Sequence, residues 1–192
     1  RRGSYFEWLD EAKALAPVGR NQMGVAVEEV LMAARILSLS GRVDPKRIGV
    51  TGISLGGQVA WQAMACAPWL RAAAAVAGGL GSLEIFLRQA DPARHSPSFF
   101  TAHLLRHFDH AEIVAACIAP RPLLVIAPTE DPDMPRAAVE RLIARVTPVY
   151  QVTRAADNFQ VLQPEGGHAY LPEYFEQVAE WLQEALEVGE PA

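Results

Sequence analysis

Short apolar runs separated by helix-period segments constrain this chain more than any other feature of its sequence. Residues 47–51, 71–77, 122–127 and 158–162 are each too short for a buried helix, and each has Gly, Pro or Asp close to both ends. Between and around them, Val27, Val30, Leu31, Ala34 and Leu37 recur at helical spacing, as do Val139, Leu142, Ile143 and Val146, and then Tyr174, Val178, Trp181, Leu182 and Ala185. Strands that are apolar throughout need cover on both faces, so the alternation predicts an α/β fold, a mostly parallel sheet with helices on each side. Gly41 and Asp44-Pro45 end the first helix, a second starts near Leu55 and stops before Pro68, and Pro148 is expected to stop a third. The segment at about 80–118 is too long for a bare loop and reads as a helical, lid-like insertion over the sheet edge.

With 192 residues, 51 % of them hydrophobic and 20 % charged, the chain can bury the core of one domain. A net charge of −5 leaves no basic surface to neutralise phosphates, so nucleic acid is not an expected partner. The Ala-rich run from Ala72 is broken by Gly78, Gly79, Gly81 and Glu84, so no apolar stretch is long enough to span a membrane. Cys66 and Cys117 form no C-x-x-C pair and read as two small buried hydrophobes. Arg1-Arg2-Gly3-Ser4 has no apolar signal core and no initiator Met, which leaves the compartment open, with the cytoplasm favoured.

Gly52-Ile53-Ser54-Leu55-Gly56-Gly57 follows the first run and opens a helix, the context in which G-x-S-x-G makes a nucleophile elbow. Flanking glycines permit a sharp turn that lifts the Ser54 hydroxyl, and the N–H of Leu55 at the helix start can serve an oxyanion. A serine nucleophile needs a base and an acid to orient it, in the order Ser, acid, His, each in a loop at the carboxyl end of a strand. The third run leads into Pro128-Thr129-Glu130-Asp131-Pro132-Asp133 and the fourth into Gln163-Pro164-Glu165-Gly166-Gly167-His168. Three carboxylates compete for the role of acid. Asp131 is favoured, four residues past Ala127, where a tight turn can aim it at His168, while Asp133 lies nearer the next helix start and can cap it.

His103, His107 and His110 follow i, i+4, i+7 spacing beside Asp109 and Glu112, but they lack the Glu of H-E-x-x-H, so a polar stripe on a lid helix is the expectation rather than a metal site. Phe99, Phe100 and Phe108 are either the insertion's own small core or the apolar wall of a substrate pocket.

On these motifs the chain resembles the α/β-hydrolase superfamily, and within it the dienelactone-hydrolase and acetyl-xylan-esterase-like serine hydrolases, close also to the catalytic domain of prolyl oligopeptidases. The resemblance rests on 19–24 ahead of a helix, 43–52, the elbow, Ile118-Ala119-Pro120-Arg121-Pro122-Leu123-Leu124, Thr129-Glu130-Asp131-Pro132 and Gly166-Gly167-His168. It implies Ser54 as nucleophile, Asp131 as acid and His168 as base, with no cofactor and no metal. It also implies an eight-stranded sheet with the elbow after its fifth strand. The four runs here would then be the fifth to eighth, the N-terminal strands and a second oxyanion donor would lie upstream, and residues 1–192 would be the carboxyl-terminal part of a longer hydrolase.

The function expected is that of a serine carboxylic-ester hydrolase acting on small acyl esters through an acyl-enzyme. The rivals are an oligopeptidase-type serine peptidase and a catalytically inactive hydrolase-like binding module. The first strand would have an open apolar edge, and a homo-oligomer formed through it, with weak or no activity of this span alone, is expected.

Overall fold

The computed structural model describes residues 11–90, 95 and 100–187. Helix α1 (Gln22–Leu39) begins where the extended backbone of Asn21 lets its side chain accept the N–H of Gly24 at 2.6 Å. Its buried face, Met23, Val27 and Ala34, packs on Val59, Ala63 and Ala67 of the next helix and its exit. Four parallel strands follow in sequence order across one sheet: β1 (Gly49–Ile53), β2 (Ala72–Val76), β3 (Leu123–Ile126) and β4 (Phe159–Leu162). Gly49 lies opposite Ala72, Ala73 opposite Leu123, and Leu123 opposite Phe159.

The all-alanine start of β2 is explained by its place between two layers. Ala73 and Ala75 meet Trp61 and Met64 of α2 (Leu55–Cys66), while Ala72, Ala74 and Val76 face Tyr174, Val178, Trp181 and Ala185 of α6 (Pro172–Glu187). Small strand side chains leave room for these bulky helix residues. Fully burying one large apolar side chain contributes about 1.5–3 kcal/mol, so the aromatic and aliphatic face of α6 fixes that layer. The expected α/β arrangement with both faces covered is thus present.

The Ala119-Pro120-Arg121-Pro122 run is structural. The Arg121 guanidinium donates to the carbonyls of Met64, Ala67, Leu70 and Cys117, tying the end of α2 to the entry of β3. Four acceptors on one cation satisfy carbonyls that a helix C-terminus leaves open.

Four expectations are corrected. The first strand runs from Gly49 to Ile53, two residues later than its apolar run, because Ile53 pairs with Val76 immediately before the elbow. Helix α5 (Arg136–Val152) passes through Pro148, which is exposed. The fully buried Tyr150 anchors the turn beyond it by donating to the Arg121 carbonyl at 2.8 Å and stacking on Phe159 at 5.3 Å. Cys66 and Cys117 are free and exposed rather than buried, since each sits in the last turn of its helix. His103, His107 and His110 share no helical face: a short 3₁₀ turn (Leu104–Arg106) separates the first two, and only His110 is buried.

The expected insertion consists, among the described residues, of α3 (Leu83–Gln89), that 3₁₀ turn, and α4 (His110–Ile113) running into a π turn (Val114–Ile118). Asp109 joins its two ends. Its carboxylate accepts from the Ser82 hydroxyl at 2.6 Å and from the N–H groups of Leu83 at 2.6 Å and His110 at 2.7 Å, so it serves the starts of both α3 and α4. Among the described residues no helix is long and apolar enough to cross a membrane.

Candidate active site

Parallel strands bring their carboxyl ends to one edge of the sheet, and three loops meet there. The first is the turn from β1 into α2. Ser54 has φ 54° and ψ −121°, a conformation L-residues rarely adopt, and its N–H donates to Val76 O at 2.9 Å. The glycines around it are required by crowding. A Cβ on Gly52 would lie 2.5 Å from the backbone of Gly56, and one on Gly57 would lie 2.8 Å from Val76 O and 2.9 Å from Gly78 Cα. Leu55 is the first residue of α2, and N–H groups in a first helical turn have no acceptor within the helix.

The acid loop leaves β3 through Pro128, whose carbonyl accepts the Asp131 N–H at 3.2 Å and closes a turn. Thr129 and Glu130 donate their N–H groups to the carbonyls of Pro164 and Gly166, both at 2.9 Å, which fastens this loop to the one after β4. The consequence is a short contact between side chains from two strands: His168 Nδ1 lies 2.9 Å from Asp131 Oδ2. The Asp131 side chain is fully buried and that of His168 is 26 % exposed, so the imidazole is held on one side and open on the other. Glu130 is exposed and cannot be the buried partner. Asp133 also turns toward the imidazole. It is buried, its Oδ2 is 3.7 Å from His168 Nδ1, and the N-cap position of α5 is Pro135.

Ser54, Leu55 and His168 share a cleft with Gln58, Gly78, Gly79, Leu83, Phe86, His95, Phe100, His110 and Asp133. One side of the cleft is apolar. Phe100 contributes, its ring 6.2 Å from that of Phe86, whereas Phe99 lies outside the described residues. Phe108 is in a separate groove with Glu84, Arg106 and Arg141, because the chain turns there to bring Asp109 under α3 and α4. Leu83, Phe86 and His95 were not singled out from the sequence. Ser82, an N-cap residue whose hydroxyl accepts from Ile85 N, was the available signal for α3, and it puts Leu83 and Phe86 on one helical face.

His110 forms part of the cleft's inner side, with its ring 4.9 Å from Trp61. Burial pushes its pKa down, against the pull of Asp109 and of the Gly81 and Gly79 backbone, so it is uncharged at neutral pH. Asp109 is the reverse case: burial would raise its carboxyl, but hydrogen bonds from Ser82, Leu83 and His110 hold it below the usual range.

The profile of the prolyl oligopeptidase family matches residues 12–189. YtaP of Bacillus subtilis, a protein named as a hydrolase, is 27 % identical over 156 residues, which is 81 % of this chain and 52 % of that protein. The glucuronoyl esterase from Solibacter usitatus superposes with a TM-score of 0.71 at 18 % identity, over 84 % of this chain and 48 % of that one. Acetyl xylan esterase 1 from a Thermoanaerobacterium species gives 0.56 at 19 % identity, over 83 % and 52 %. The fold is that of the α/β-hydrolases, and the chain spans about half the length of the curated relative it matches.

Proposed function

Since the chain belongs to the prolyl oligopeptidase family of hydrolases, we propose that it is a serine carboxylic-ester hydrolase whose triad is Ser54, His168 and Asp131. The observation that carries this reading is the short contact between His168 Nδ1 and the buried Asp131, in the same cleft as a serine strained to φ 54°. Asp131 fixes the imidazole with its proton on Nδ1, leaving Nε2 to take the Ser54 proton. The Ser54 oxygen then attacks the ester carbonyl, the Leu55 N–H donates to the oxyanion, and His168 returns the proton to the departing alcohol. Water, deprotonated by His168, cleaves the acyl-enzyme, releases the acid and restores Ser54. Phe86, Phe100 and Leu83 narrow the cleft and favour small acyl groups such as acetyl.

Esterases among the structural neighbours support the ester reading, while the family's name supports peptide substrates. A fluorophosphonate probe labels only an activated serine. In the full-length protein, labelling that is abolished by Ser54→Ala and by His168→Ala is expected, with p-nitrophenyl acetate turned over faster than peptide p-nitroanilides. An unlabelled wild-type protein would leave a binding module as the better reading, and a kcat/KM that rises steadily from acetyl to octanoyl esters would overturn the small-acyl preference.

A further inference from the structure

We propose that Asp133 is a second positioning carboxylate of His168, one that takes over the Nδ1 proton when Asp131 is neutralised. The proposal rests on the triad reading above and adds to it a residue that a three-membered relay does not need.

Both carboxylates face the same ring nitrogen. Asp131 Oδ2 is 2.9 Å from His168 Nδ1 and Asp133 Oδ2 is 3.7 Å from it, so a shift of under an ångström in one side chain converts the second contact into a hydrogen bond. The two acids form one rigid unit, because Asp131 Oδ1 accepts the backbone N–H of Asp133 at 2.8 Å. Of the two Asp133 oxygens, Oδ2 is the one toward His168, while Oδ1 lies 3.2 Å from His95 Nε2. Asp133 is buried, so its charge is poorly screened at this distance. Among the described residues, the titratable side chains facing the His168 ring are these two aspartates, with His95 beyond Asp133 and Ser54 and His110 across the cleft.

The chemistry follows from the tautomer. Replacing a lone acid by asparagine lets an amide N–H face Nδ1, moves the ring proton to Nε2 and abolishes the base, at a cost of about 10⁴ in kcat. Here an anionic oxygen stays beside Nδ1 after Asp131→Asn. The Nδ1–H tautomer is retained, and the proton taken from Ser54 still goes to Nε2.

The test measures, in the full-length protein, kcat and KM separately for Asp131→Asn, Asp133→Asn and the double variant. Asp131→Asn is expected to lose about 10²-fold in kcat, Asp133→Asn only a few-fold, and the double variant about 10⁴-fold, with KM nearly constant, against the value for a lone acid. Asp131→Asn already at about 10⁴, with no further loss in the double variant, would overturn the proposal. The low-field NMR resonance of the His168 Nδ1 proton, recorded in a Ser54→Ala background where no turnover is needed, should survive Asp131→Asn and disappear in the double variant. Its disappearance in Asp131→Asn alone refutes the role of Asp133 even if the triad reading fails, whereas failure of that reading itself shows as a wild-type serine that the fluorophosphonate does not label.

Discussion

Gly57 shows how little freedom the elbow leaves at single positions. Any Cβ there meets backbone on three sides, Val76 O, Gly52 O and Gly78 Cα, all within 2.9 Å, and backbone cannot rotate away as a side-chain tip can. Gly57→Ala is therefore expected to destabilise by about 1–3 kcal/mol through overpacking and to displace Ser54 from its strained turn. Denaturant unfolding checks the first effect and loss of fluorophosphonate labelling the second; a variant with unchanged midpoint and labelling would show that the elbow can relax. At this scale much was legible from sequence. The order Ser, acid, His fixed three loops by chain position alone, and Asp131 was separable from Glu130 once a turn after β3 was assumed. The contribution of Asp133 was not legible, because both aspartates lie two residues apart in one loop and only the tie of Asp131 Oδ1 to Asp133 N shows that both can face inward.

Among the elements, the two ends of the insertion are joined to each other by one side chain. Asp109 receives the Ser82 hydroxyl and the first N–H groups of α3 and α4, and Ser82 in turn donates its N–H to Ala138 O at 2.9 Å, so the segment carrying Phe86 is joined to α5. Asp109→Ala should cost about 1–2 kcal/mol, as the loss of a strong helix cap does, and should raise KM for small esters more than it lowers kcat. The pH dependence has a definite sign. The carboxyl titrates lower folded than unfolded, so its contribution is complete above the unfolded value of about 4 and is lost as pH falls through the folded one. The stability gap between wild type and variant, followed by thermal unfolding, should accordingly be wide at pH 7 and narrow near pH 3. A gap independent of pH would mean that packing, not charge, holds the two helices. The existence and order of the strands and long helices were legible because their apolar period is local. The readings that failed, a stop at Pro148, a histidine stripe and buried cysteines, each depended on what a distant element packs against. Tyr150 carries α5 past its proline through contacts with Arg121 and Phe159, residues that no local window includes.

For the molecule as a whole, the decisive feature is an asymmetry in how the sheet ends. β4 closes one side with alternating half-buried and exposed residues, the pattern of an ordinary edge. On the other side, no strand among the described residues pairs with the far edge of β1, and the groove beside it is lined by Ala26, Val30, Ala33, Val50, Val59 and Ala60. Helix α1 extends the same apolar character outward, with Met32 65 %, Ile36 64 % and Leu39 71 % exposed. Unpaired strand N–H and C=O groups next to exposed apolar side chains are a template for another strand. Residues 1–192 expressed alone are therefore expected to self-associate through β1. Thr51 lies on this edge and is exposed, so Thr51→Lys puts a charge where a second strand would dock without disturbing the cleft. Sedimentation velocity should show dimers or larger species for the parent chain and a shift toward monomer for Thr51→Lys. A monodisperse parent chain at tens of micromolar, or association unchanged by the lysine, would show that this edge is not the contact.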